Sequence, residues 1–196
     1  MSKIFIVMGK SATGKDTIFK QLINNQQLQL KSVIGYTTRP IRKGETNGVE
    51  YFFVNEDKLK EWISLNKVIE HRAYQTMHGI WNYFTLDDGQ IDLNQSNYLF
   101  IATPQAYEQI RDYFGEDKVI PIYIEAEDAT RLERALKREK KQDNPKYAEL
   151  CRRYLADEQD FSEENLIKLK IWKRYFNENM EECLNEIVTD IKEMLN

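Results

Sequence analysis

The chain has 196 residues, 41% of them hydrophobic and 31% charged, with 28 Lys and Arg against 32 Asp and Glu for a formal net charge of −4. That is a soluble globular composition, long enough to bury roughly 70% of the unfolded chain's surface in one core with a small insertion. The acidic balance argues against a sequence-independent grip on nucleic acid, which draws on clustered cations. Two distant cysteines, Cys151 and Cys183, signal neither a disulfide framework nor a zinc site. No apolar run suits a leader peptide or a bilayer span, so a cytoplasmic chain without membrane or nucleic-acid partners is expected.

In chain order, residues 3–8 (KIFIVM) form a short β-branched apolar run that ends in a Gly-containing loop and reads as a buried strand. Residues 17–22 follow with Ile18, Phe19 and Leu22 at helical spacing. From residue 33 to 88 the pattern turns Thr-, aromatic- and Gly-rich, with Gly44 and Gly48 marking turns and residues 51–54 reading as a strand. This predicts a small β-rich insertion. Two further apolar runs, 98–102 and 119–124, each precede a helical pattern, at 105–114 and 128–140. Such alternation implies a parallel sheet with helices on both faces. Residues 138–150 are polar and charged, with Pro145 interrupting any helix, and predict a lid. A last strand candidate at 169–176 leads into a helix over 180–195, where Leu184, Ile187, Ile191 and Leu195 recur at helical spacing. The core would comprise residues 1–32, 89–137 and 151–196.

The chemistry starts at Gly9 to Lys15, GKSATGK, which fits G-x-x-x-x-G-K between a strand and a helix. Backbone N–H groups of Ser11, Ala12, Thr13 and Gly14 would converge on phosphate with the helix N-terminus behind them, and Lys15 would reach the β- and γ-phosphates of ATP. The residue after Lys15 is Asp16, with Thr17 one place later. Either could ligate Mg²⁺, the expected cofactor. The second constellation, residues 36–51 (YTTRPIRKGETNGVEY), holds Arg39, Arg42 and Tyr51. Arginine forks and a phenol suit a phosphate monoester, although by composition alone the stretch reads as a solvated basic loop.

The phosphate loop followed by Thr37, Thr38, Arg39, Arg42, Gly44, Glu45, Gly48 and Tyr51 resembles the guanylate kinases, nucleoside monophosphate kinases that move the γ-phosphoryl of ATP to GMP. The resemblance covers most of the chain. It implies that Arg39, Arg42, Tyr51 and Tyr83 hold the acceptor phosphate, and that Glu70 and Thr85 read the purine edge. It further implies that Arg134 and Arg138 before the lid and Arg153 after it (with Arg152 as the alternative) face the transferring phosphoryl group, and that Asn177 lies close to the adenine. The implied partners are small nucleotides, on a monomer or homodimer.

Three departures stand out. The family's Leu-Asp-Ile-Asp strand end is Leu99, Phe100, Ile101 and Ala102 here, a Ser among its guanine contacts is Gly35, and the Gly between Tyr83 and Thr85 is Phe84. Phosphate grips are kept while base contacts are thinned. Two other readings remain open. Ribose-1,5-bisphosphate kinases are similar and commonly carry a Gly-Lys-Asp loop, as Gly14, Lys15 and Asp16 do, and a catalytically silent protein-binding module would share the fold.

Overall fold

In the computed structural model, which describes residues 2–42, 44–76 and 79–195, five parallel strands make the central sheet in the order β2-β7-β1-β8-β9. These are β1 (Ile4–Met8), β2 (Leu30–Ser32), β7 (Asn97–Ile101), β8 (Val119–Glu125) and β9 (Arg174–Phe176). β1 lies at its centre, with all five of its residues buried, because both faces of a parallel sheet are covered by helices. Ile4, Ile6 and Met8 point into one half of the core, with α3 (Pro104–Phe114) and α6 (Glu163–Lys168). Phe5 and Val7 point into the other, with α1 (Lys15–Asn24) and α7 (Met180–Leu195). The period-two alternation of side chains across a strand divides the run IFIVM between two layers.

A second sheet, ordered β4-β3-β6-β5, is built from β3 (Tyr36–Thr37), β4 (Phe52–Phe53), β5 (Val68–Thr76) and β6 (Gly79–Leu86). One face packs Tyr36, Phe84, Val68 and Leu86 on Leu59 and Trp62 of α2 (Glu56–Ser64). By alternation the other face carries Thr37, Tyr83, Thr85, Glu70 and Arg72. A bulge makes this possible: Val68 pairs with Leu86 and Glu70 with Thr85, so Ile69 is an extra residue on β5. Ile69 drops into the main core beside the first sheet, and Glu70 is turned to the face away from α2.

The predicted strand over 169–176 is shorter. Residues 163–168 are α6, capped by the Ser162 hydroxyl, and Lys170 sits at φ 59°, leaving only Arg174–Phe176 extended. α2 lies inside the predicted β-rich region, opened by Asn55, whose side chain accepts from the Lys58 amide. α4 (Asp128–Glu139) and α5 (Tyr147–Asp160) leave residues 140–146 as the connecting loop. Both cysteines are free, and among the described residues no helix is long and apolar enough to cross a membrane.

Candidate active site

The loop after β1 turns back through two left-handed residues, Ala12 at φ 66° and Gly14 at φ 92°. A β-carbon on Gly9 would stand 2.5 Å from the Ile124 carbonyl oxygen, and one on Gly14 would strike the Asn177 amide, so neither position admits a side chain. The loop is closed by the Thr13 hydroxyl donating to the Lys10 carbonyl at 3.0 Å. Gly14 caps α1 without any side-chain acceptor, which leaves the first amides of the helix uncapped by a side chain. Among the described residues, the Lys15 ammonium pairs with Asp16 alone, at 3.5 Å. Asn177 is fully buried beneath the loop and donates to the Thr13 carbonyl at 2.6 Å, so its amide braces the loop.

Three residues that sequence reasoning passed over hold the loop from the side. The Arg131 Nε donates to the Ser11 carbonyl at 3.2 Å, and its Nη1 meets Asp128 and Glu158. Asp157 of α5 accepts the Ser11 amide at 2.6 Å, and Glu158 accepts from Lys10 at 2.7 Å. Burial alone would raise the Glu158 carboxyl, but the hydrogen bonds from Lys10 and Arg131 outweigh it and hold it below its ordinary range. The buried stripe of α4 is Arg131, Ala135 and Glu139, spaced by four. Arg134 and Arg138 lie off it: Arg134 reaches the Asn177 carbonyl at 3.4 Å and Arg138 is exposed. Arg153 stands 4.0 Å from Glu139 and 3.8 Å from Glu149, while Arg152 forks onto Glu149 alone. A period-four stripe in the sequence carried this signal, masked by Leu132 and Leu136, which are exposed.

On the second sheet, Arg39 is 3% exposed and its two terminal nitrogens fork onto Glu45 at 3.0 and 2.9 Å. That fork holds the Glu45 carboxyl below the ordinary carboxylate range. The Arg39 Nε is buried without a partner, so one edge of the guanidinium is clamped and the adjacent edge is open. The Tyr51 and Phe53 rings flank it at 5.8 and 5.4 Å. Tyr51 packs edge-on to Tyr83 at 5.6 Å, and burial raises its phenol, which stays a neutral donor. Arg42 is exposed; its backbone amide, rather than its side chain, joins Glu45. Glu70 is 1% exposed, with Thr85 donating to its Oε1 at 2.9 Å. Thus Arg39, Tyr51, Tyr83, Glu70 and Thr85 come together on one surface. Arg72, also on that surface, went unnoticed in the sequence; it forks onto Glu70 at 2.9 and 3.1 Å.

For Mg²⁺, the fitting groups are hard oxygen donors beside the loop. Asp16 and Thr17, both exposed in the first turn of α1, supply a carboxylate and a hydroxyl. Among the described residues there is no group of three or more His, Cys, Asp and Glu side chains to form a protein cage. Mg²⁺ usually keeps several waters and binds through one or two carboxylates plus substrate phosphates, and the donors present suit that mode.

The family model for guanylate kinase matches residues 1–196. Curated relatives include the guanylate kinase of Mesomycoplasma hyopneumoniae (strain J), 29% identical over 194 residues, covering 95% of this chain and 92% of that protein. That of Malacoplasma penetrans is 34% identical over 138 residues, covering 69% of this chain and 68% of the relative. The crystal structure of guanylate kinase from Anaplasma phagocytophilum superposes with a TM-score of 0.68 at 17% identity, covering 98% of this chain and 85% of that one, a likeness of fold. The glycine-bearing loop between β1 and α1, the second sheet with its buried Arg39 and Glu70, and a family match over residues 1–196 lead to one assignment: this chain belongs to the guanylate kinase family.

Proposed function

We propose that this chain transfers the γ-phosphoryl group of MgATP to GMP, giving ADP and GDP. The observation that carries the reading is the single sheet face on which Arg39, with its unpartnered buried Nε, stands with the buried acid Glu70. A phosphate grip and a base-edge reader on one surface suit a nucleoside monophosphate. The loop amides, the α1 N-terminus and Lys15 bind the ATP phosphates, with Mg²⁺ held by Asp16 and Thr17 and supplying charge neutralisation when bound. The open edge of Arg39, with Arg42 and the Tyr51 and Tyr83 hydroxyls, holds the acceptor phosphate so that its oxygen attacks the γ-phosphorus in line as ADP leaves. The chain supplies no nucleophile of its own, and positioning and charge provide the rate. Arg131 fixes the loop, while Arg134, Arg138 and Arg153 line the approach from the 140–146 loop, whose closure over both substrates would exclude water.

The test is ADP release from MgATP with GMP as acceptor, together with product identification. GDP formation that is lost in Lys15→Ala supports the reading. Consumption of ribose 1,5-bisphosphate with GMP untouched replaces the acceptor.

A further inference from the structure

The acceptor face carries a buried cation that the phosphate-binding pattern does not call for. Arg72 lies two residues beyond Glu70 on β5, so both side chains project from the same face. Its Nε and Nη2 donate to Glu70 Oε2 and Oε1, and its Nη1 donates to the Thr103 hydroxyl at 3.3 Å. A guanidinium has five N–H groups. Among the described residues, one N–H on each terminal nitrogen is therefore left without a partner. Glu70 Oε1 is filled by Thr85 and Arg72, whereas Oε2 accepts from Arg72 alone and keeps one acceptor position. Burial works against the charge of Arg72, but the Glu70 carboxylate outweighs it and raises the guanidinium above its ordinary value. The Tyr83 ring, 6.0 Å from the guanidinium carbon, and the Tyr74 ring packed against Tyr83 wall the pair.

The pair thus keeps two N–H groups on the terminal nitrogens of one guanidinium and one acceptor position on the carboxylate that it forks. A 6-oxopurine presents the complement, with N7 and O6 as neighbouring acceptors followed by N1–H as donor, and an arginine fork on O6 and N7 is a favoured guanine contact. Adenine alternates acceptor, donor, acceptor along the same edge, as does uracil. The 2-position of the base finds no further carboxylate on this face among the described residues. Glu45 has both oxygens engaged by Arg39, and Gly35 and Ala102 bring no polar group.

We propose that Arg72 and Glu70 together read the 6-oxopurine edge, Arg72 on O6 and N7 and Glu70 on N1–H, and leave the 2-substituent unread. The acceptor class is then 6-oxopurine nucleoside monophosphates, IMP as well as GMP. This rests on the acceptor assignment made above.

The experiment measures kcat and KM for GMP, IMP, AMP and UMP with MgATP, in the wild type and in Arg72→Lys, which keeps the charge facing Glu70 but not the fork. In the wild type, kcat/KM for GMP and IMP should agree within about fivefold, with AMP and UMP lower by at least about 100-fold. Arg72→Lys should lose about 5- to 150-fold for GMP and IMP, chiefly in KM, with AMP changed less than about twofold. IMP refused while GMP is turned over overturns this inference alone, as do equal losses for all four nucleotides in Arg72→Lys. No turnover of any of the four overturns the acceptor assignment along with it. Should Arg72→Lys melt below the assay temperature, the wild-type ratio of IMP to GMP decides.

Discussion

The phosphate loop and the acceptor sheet, the two regions proposed to hold anions, are built from opposite materials. The loop works through backbone amides whose geometry depends on Gly9, Ala12 and Gly14, and it is held in place from far along the chain by Asn177, Arg131 and Asp157. The acceptor sheet works through side chains held by near neighbours in sequence, Arg39 by Glu45 and Arg72 by Glu70. A loop of this kind is vulnerable to distant substitutions, and a face of this kind to local ones.

The sharpest test of the contrast is Lys15→Ala. Because Lys15 has only an exposed carboxylate for company, its loss should lower kcat/KM by about 10²–10³-fold while the melting temperature stays within about 1 °C. A large drop in melting temperature would show that the lysine is structural. Arg131→Met should do the reverse of a local change, acting on the loop through packing. It strips a buried cation from Asp128, Asp157 and Glu158 and should cost about 3 kcal/mol, or about 6–12 °C in a thermal scan. A change under 2 °C would mean that the loop is not held this way.

On the acceptor side, Glu45→Gln should raise the GMP KM about tenfold with kcat nearly constant, since the clamped edge aims the open one. An unchanged KM with reduced kcat would contradict that division. Smallest is the pH effect. Arg39 depresses the Glu45 carboxyl, so the stability this pair contributes is complete above the unfolded value of about 4.3 and is lost as pH falls through the lower folded value. The difference in melting temperature between wild type and Glu45→Gln should be constant from pH 7 to 5 and shrink below about pH 4; shrinkage already at pH 6 refutes the clamp.

Legibility in the sequence followed the same divide. The strand, loop and helix around GKSATGK could be read because the turn forces glycines into fixed positions after an apolar run. The acceptor pattern from Thr37 to Tyr51 was readable through resemblance; the structure brings Arg39 and Tyr51 together, while the Arg42 side chain is exposed. What stayed hidden was burial that defies polarity. The buried face of α4 is Arg131, Ala135 and Glu139, while its leucines face out, so the hydrophobic pattern points away from Arg131. Arg72 was invisible because its partnership with Glu70 depends on β5 being a strand and on which face each residue takes, and the bulge at Ile69 breaks simple alternation there. α2 announced itself only through Asn55 and the acids after it, a short signal within a β-rich region.

The bulge also has a mechanical consequence. Ile69 is seated in the main core, and the next residues are tied to α3, His71 through its amide to Gln109 and Arg72 to the α3 cap, Thr103. That end of β5 is a fulcrum. Arg39 and Arg42, two strands away across the sheet, sit out on the lever arm. In any rocking of the sheet about that end, Arg39 and Arg42 would travel farther than Glu70, so on the proposed assignment a phosphate held there would move while the base stayed near the pivot.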